Sequence, residues 1–202
     1  RHSEKVFFMR VFLSVLILIL SFQSVSKSEG IKELEIEGIS IGDTLLKLMN
    51  KTDIKSNMVQ LYKNKKFSTV AFFDSQIYDM VQFSFLTNDD NFLVHDIEGK
   101  LFFKNNIENC KKKQKIVSDS INEIIGSVTK YYPVDKQARK ADPSGKSVMY
   151  TEAFVFPDRY SMVQIYCTDW SNDFENNKGW DDELKISIWS EIFSKFLEYE
   201  AY

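Results

Sequence analysis

The hydrophobic period changes within one stretch of the chain, residues 92–126, which reads FLVHDIEGKLFFKNNIENCKKKQKIVSDSINEIIG. Its first part, Phe92–Lys104, alternates with period two, which predicts a strand with positions 93, 95, 97, 101 and 103 on one face. Gly99 shares this parity and is expected to mark a bulge or a bend. The second part predicts an amphipathic helix, because apolar residues recur at helical spacing between an asparagine cap, Asn105 or Asn106, and the glycine stop Gly126.

Similar alternation predicts strands on both sides of this helix. The expected strands are Phe67–Phe73, Met80–Leu86, Phe92–Lys104, Val148–Phe156, Tyr160–Thr168 and Glu183–Trp189. A short helix capped by Asp43 precedes them, and a helix over Glu191–Tyr199, capped by Ser190, follows them. Because the turns are short, we expect antiparallel pairing and an α+β fold of order α-βββ-α-βββ-α, with helices on one face of the sheet or sheets.

The first 28 residues have the pattern of a secretory signal peptide. From Met9, the basic residue Arg10 precedes the apolar run Val11–Leu20, and small and polar residues follow as far as Ser28. This run is shorter than the roughly 20 residues of a membrane-spanning helix. We therefore expect a signal peptide over residues 1–28, with residues 1–8 as upstream read-through, and a single α+β domain over residues 29–202. After cleavage the protein would be periplasmic or secreted in a bacterium, without stable membrane insertion; an uncleaved anchor is the alternative.

The two cysteines are both predicted to point into the layer between helix and sheet. Cys110 lies on the apolar stripe of the central helix, and Cys167 shares its parity with Val163 and Ile165. In an oxidising compartment such a pair favours a disulfide. Closing a loop of this length would stabilise the fold by about 4 kcal/mol. Two buried free thiols are the alternative.

A thiol catalytic group, made of Cys167, His95 and Asp169, is a further alternative, because a cysteine nucleophile needs a base. His95 is the one imidazole of the sequence beyond the signal segment, and the alternation places it on an apolar face. Neither cysteine carries a protease signature. We therefore predict no catalytic residue.

The composition excludes several classes of protein. A formal net charge of −3 argues against a dedicated nucleic-acid binder, and two His with two Cys are too few for a zinc finger. The acidic segment Asp169–Glu183 has Phe174 where an EF-hand needs glycine, and Lys140 occupies the first glycine position of a phosphate-binding loop ending in Gly145-Lys146-Ser147. We expect no metal site and no cofactor.

Two segments carry candidate binding residues. The polar segment 127–147, predicted to be a flexible connector, contributes the basic side chains of Lys136, Arg139, Lys140 and Lys146. These side chains would meet an anionic glycan or envelope phosphate, or would simply be solvated. In the predicted loop 169–183, Trp170 and Trp180 would stack on a sugar or partner, or fold back onto the sheet. The carboxylates of this loop leave glycoside hydrolysis open, because that chemistry depends on spatial spacing.

Four short strings of the sequence resemble an uncharacterised family of small exported proteins from marine Pelagibacter-like alphaproteobacteria. They are IEGISIGD at residues 36–43, SGKS at 144–147, CTDW at 167–170 and EYEAY at 198–202. This resemblance implies an exported address and brings no known activity. More loosely, a glycine-led helix followed by sheet and helix is similar to envelope modules of the BamE or β-lactamase-inhibitor kind, which bind other proteins through their sheets and loops.

Three functions follow as hypotheses. The first is a soluble periplasmic module that binds or scaffolds an envelope protein without catalysis. The second is a hydrolytic enzyme that uses carboxylates of the 169–183 loop. The third is a binder of anionic glycan or envelope phosphate through the basic residues of 130–146.

Overall fold

Seven antiparallel strands form the main sheet of the computed structural model, which describes residues 30–201. The predicted signal peptide, residues 1–28, lies outside the described residues. A two-stranded hairpin, β1 (Glu35–Ile36) and β2 (Ile39–Ser40), precedes the sheet. The sheet strands are β3 (Phe67–Phe72), β4 (Met80–Leu86), β5 (Val94–Phe103), β6 (Lys130–Ala138), β7 (Val148–Val155), β8 (Met162–Asp169) and β9 (Asp182–Trp189). Their spatial order is β3-β4-β5-β9-β8-β7-β6, so strands from both halves of the chain share one sheet.

Four α-helices accompany the sheet within residues 30–201. They are α1 (Lys51–Asn57), α2 (Ile107–Ile125), α3 (Asn172–Lys178) and α4 (Glu191–Tyr199), with 3-10 turns at Gly30–Glu33 and Leu45–Lys47. Asn106 caps α2, since its side chain accepts from the backbone amide of Asn109. Ser190 caps α4 in the same way through the amide of Phe193. Both caps and the extent of α4 are as the sequence predicts.

The α+β class is confirmed, but the predicted order α-βββ-α-βββ-α is wrong in detail. The segment 127–147 contains the strand β6, and the segment 169–183 contains the helix α3. Every residue of β6 is exposed, so this edge strand shows no apolar alternation. At the start of the chain, Thr44 and Asn50 cap the 3-10 turn and α1, whereas the predicted cap, Asp43, forms an ion pair with Lys47.

The two faces of the sheet differ in chemistry, as period two requires. One register row on the face under α2 is apolar and almost fully buried: Phe83, Ile97, Ile188, Val163 and Phe154. The opposite face, which we call the polar face, carries in the adjacent row Gln82, Glu98, Ser187 and Gln164. Helix α2 and the N-terminal segment, whose Ile39 and Ile54 belong to the same core, therefore cover one face of the sheet and leave the polar face to other elements.

The helices lie on both faces, which corrects the prediction of helices on one face. Phe193 and Phe196 of α4 pack around Phe67, with ring centroids at 5.0 and 4.8 Å. Phe67 has the opposite parity to Val70, which belongs to the core under α2. Helix α4 thus covers one end of the polar face.

A bulge in β5 overturns the predicted face of Leu93 and His95, whereas Ile97, Leu101 and Phe103 lie on the core side as predicted. Ser84 pairs with Asp96 and Phe85 pairs with Val94, so one residue of β5 is skipped. Val94 is therefore in the core and Leu93 is exposed, while His95 contacts the Phe67 ring and the Ser190 hydroxyl. Gly99 does not mark the bulge: a Cβ there would lie 2.6 Å from the ring of Tyr78, so the glycine makes room for that ring.

The predicted disulfide is confirmed. Cys110 of α2 and Cys167 of β8 are fully buried and bonded, with Cα atoms 5.9 Å apart. The thiol alternative with His95 and Asp169 is therefore wrong, because a disulfide sulfur supplies no thiolate. The bridge is consistent with an oxidising compartment, and within residues 30–201 no helix has the length and apolar character to cross a membrane.

Replacing both cysteines with alanine should lower the free energy of unfolding by about 4 kcal/mol, because the unfolded chain regains the freedom of a 57-residue loop. Urea denaturation followed by circular dichroism measures this loss. Reductant should lower the free energy of unfolding of the native protein and leave that of the double variant unchanged. A difference below about 1 kcal/mol would contradict the role assigned to the bridge.

Candidate ligand-binding cleft

The polar face holds half-buried charges at its centre. The Nζ atom of Lys185 lies 2.6 Å from Oε1 of Glu98, and that of Lys100 lies 4.0 Å from Oε2 of the same carboxylate. These side chains are only 14–16% exposed. Because taking charges out of water is costly, replacing buried ion pairs by apolar packing is often neutral or stabilising in proteins. A layer of such charges is typical of a functional surface.

The sheet curls around its polar face. Met80 of β4 and Arg139, which directly follows β6, line one cleft of about 390 Å³. These strands are five positions apart, so a flat sheet would separate them by about 24 Å. The remaining lining residues are Lys100, Phe102, Trp170, Gly179, Trp180, Asp181 and Glu183.

A buried carboxylate joins two neighbouring segments that line this cleft. Asp142, in the turn between β6 and β7, accepts hydrogen bonds from the hydroxyls of Ser144, Ser147 and Ser171 and from the amides of the first two. Ser171 immediately precedes α3, so the carboxylate ties the β6–β7 turn to the Trp170 segment. The Ser147 hydroxyl, assisted by the other donors, holds the pKa of Asp142 well below its usual range. The same turn positions Arg139, whose amide donates to the Ser147 carbonyl at 2.9 Å.

Helix α3 brings the two tryptophans together. Its C-terminal residue is followed by Gly179 with φ +66°, a left-handed conformation that favours glycine and turns the chain back. Trp180 then meets Trp170 edge to face at 4.8 Å, and Trp170 stacks on Phe174 at 5.2 Å. Trp170 is buried, whereas Trp180 remains 44% exposed and available to a ligand.

Arg139 forms the polar wall of the cleft. Its guanidinium carbon lies 5.5 Å from the centre of the Trp170 ring, and Nη1 lies 3.9 Å from the Met149 sulfur. The Nε atom is buried and has no hydrogen-bond partner within residues 30–201. Within residues 30–201, no carboxylate oxygen lies within 4.0 Å of a guanidinium nitrogen of Arg139, so the side chain forms no ion pair there.

Burial shifts the pKa values of the charged groups that lie near Arg139. Burial raises the pKa of Glu183, against the lowering effect of the positive charges of Lys100 and Arg139. Burial lowers the pKa of Lys100, against the opposite effect of Glu98. The cleft therefore presents two cations and, with Asp181, two acidic side chains beside exposed aromatic rings.

The structure brings together three of the six predicted binding residues: Arg139, Trp170 and Trp180. Lys146 instead forms an ion pair with Asp173 at 3.0 Å. Lys136 lies across from Tyr150 on the α2 side of the sheet, with its amino group 5.8 Å from the ring centre, and Lys140 is exposed on the turn. The basic residues of 130–146 therefore do not share one patch.

Sequence reasoning missed Met80, Lys100 and Phe102 of the cleft. Each lies at a position of β4 or β5 on the polar face. Their alternation predicts only that they face away from the α2 core. Nothing in the local pattern indicates that the sheet curls and brings them to Arg139.

No protein-family model, curated protein or solved structure matches this chain. Among the described residues, no group of three or more His, Cys, Asp or Glu side chains is placed to hold a metal ion. The function is therefore argued from the chemistry of the cleft, and the resemblance to exported marine proteins stays a prediction.

Substituting Asp142→Asn should lower the melting temperature at pH 7, because the amide replaces an acceptor that serves five donors. The carboxylate pKa is lowered by folding, so its contribution is complete above the ordinary pKa of 3.8 and is lost as the pH falls toward the folded value. The difference between the native protein and the variant should therefore shrink between pH 5 and pH 2. Thermal unfolding at several pH values measures it.

Asp135→Asn is the matched control, since Asp135 lies on the exposed strand β6 and accepts only from the Gln137 side chain. It should change the melting temperature little at any pH. A difference for Asp142→Asn that is independent of pH would contradict the electrostatic account.

Proposed function

We propose that this protein is a non-catalytic binding module of the bacterial envelope, and that it takes a polar ligand of an envelope component into the cleft inside the curled sheet. The observation that carries this proposal is the half-buried guanidinium of Arg139, which lines the cleft without a carboxylate ion-pair partner within residues 30–201. Its buried Nε atom has no hydrogen-bond partner in this part of the chain either. A buried donor without an acceptor costs about 1–3 kcal/mol, and more when the group is charged. The Trp170 ring offsets part of this cost, because a cation above an indole is attracted by about 0.5–2 kcal/mol.

The shape of the cleft supports the same proposal. Its volume of about 390 Å³ lies in the range of small-molecule sites, which combine apolar walls with a few convergent polar groups. Phe102 and Trp180 supply the apolar walls, and Lys100, Arg139 and Glu183 supply the polar groups. An anionic group on the ligand would pair with the guanidinium charge of Arg139, which has no carboxylate ion-pair partner within residues 30–201.

Arg139→Gln should abolish ligand binding, while Lys140→Gln, the neighbouring cation on the exposed turn, should leave it intact. The full chain is expressed with its signal segment, purified, and screened by ligand-observed NMR against inorganic phosphate, sulfate, dicarboxylates, amino acids, hexoses and hexuronates. We expect at least one anionic compound with a sub-millimolar Kd that depends on Arg139. Binding unaffected by Arg139→Gln, or no bound compound, would overturn the proposal.

Hydrolysis of a glycoside is the second candidate, because Asp181 and Glu183 both line the cleft and burial raises the pKa of Glu183. A carboxyl group with a raised pKa is the usual proton donor in glycosidases. The positive charges of Lys100 and Arg139 work against this role, because they favour ionised Glu183.

For a non-catalytic module, aryl glycosides and envelope polysaccharide should release no reducing ends above the uncatalysed background. The measurement is a reducing-sugar assay with the native protein, Glu183→Gln and, as the matched control, Glu175→Gln outside the cleft lining. Release of reducing ends that disappears only in Glu183→Gln would contradict the non-catalytic module and would show that the protein is a hydrolase.

A further inference from the structure

We infer that the ligand of the cleft is a single acidic sugar unit, held by its carboxylate at Arg139 and Lys100 and by its ring at Trp180. This inference rests on the proposed function and specifies the chemistry of the ligand. It follows from the aromatic walls, from the mixed charges and from where the other basic residues lie.

The aromatic walls favour a ring-shaped ligand. Trp180 and Phe102 line the cleft and are each 44% exposed, so their rings are not consumed by the core. A pyranose ring presents a face of C–H groups that packs on an aromatic ring, while its hydroxyls lie at the rim. Exposed aromatic side chains beside polar groups match this division, since their apolar faces gain from being covered.

The mixed charges exclude simpler ligands. An uncharged sugar would offer the Arg139 guanidinium only neutral hydroxyl acceptors and no counter-charge, and an apolar ligand would leave all the charged groups unpaired. Inorganic sulfate or phosphate would meet the cations, but it would leave the aromatic walls bare and the carboxyl groups of Asp181 and Glu183 without donors. An acidic sugar satisfies both the basic and the acidic side chains of the cleft, because its carboxylate pairs with the cations and its hydroxyls donate to the carboxylates.

The remaining basic residues indicate one acidic unit, and not a charge-dense polymer. Lys146 is paired with Asp173, and Lys136 lies on the α2 side of the sheet. Only Arg139 of the predicted basic segment therefore reaches the cleft. Salt screens the attraction of an anion to two cations in a half-buried site less than its attraction to a row of exposed basic side chains.

The test compares glucuronate with its uncharged methyl ester, with glucose and with inorganic sulfate by titration calorimetry. For the native protein and for Lys140→Gln, glucuronate should bind at least tenfold more tightly than the ester or glucose. Arg139→Gln should remove this preference. Trp180→Ala should weaken the binding of every sugar by about tenfold and leave the preference for glucuronate in place. Raising the salt from 50 to 200 mM should change the glucuronate Kd less than fivefold.

The outcomes separate this inference from the proposed function. Equal affinity for glucuronate and its ester, or sulfate binding as tightly as glucuronate, would overturn the acidic sugar. The binding module would still stand if another compound of the NMR panel binds through Arg139. Circular dichroism and melting temperature check that each variant is folded, and absence of binding by every compound would overturn both.

Discussion

The buried bond between Cys110 and Cys167 is the constraint on which the rest of the structure depends. It joins the first turn of the long helix α2 to β8 within the apolar core. Because the apolar face of the sheet is sealed, the alternate residues of the same strands must form the opposite face. The partly buried charges of Glu98, Lys100 and Lys185 collect there, and Lys100 lines the candidate cleft.

The cleft is assembled by contacts that stabilise turns and not by the core. Asp142 collects five hydrogen bonds from serines before β7 and before α3, which fixes Arg139 against Trp170. The same donor set would suit a bound anion, but here the protein supplies the anion itself. The phosphate-loop likeness of Gly145-Lys146-Ser147 therefore has a structural explanation, in which the serine hydroxyl and amide bind an internal carboxylate.

The elements that face the core were predictable from the sequence. The strand Met80–Leu86 and the helix Glu191–Tyr199 have the predicted bounds, because a regular apolar period leaves a trace wherever one side of an element is buried. The failures lie where that condition does not hold. Strand β6 is exposed along its whole length and has no apolar period. The bulge near Val94 moves Leu93 out of the core through the pairing of β4 with β5, which cannot be read from the sequence of either strand alone.

The candidate site divides in the same way. The sequence by itself determined that Cys110 and Cys167 point to a common layer, that Arg139 belongs to a basic segment, and that Trp170 and Trp180 belong to an acidic one, because side-chain type and parity are local properties. Only the tertiary structure decided that Arg139 enters a cleft while Lys136 turns to the other face and Lys146 pairs with Asp173. It also added Lys100 and Phe102 from β5, since the curl of a sheet is the sum of twists over many strands and is not encoded in any one of them.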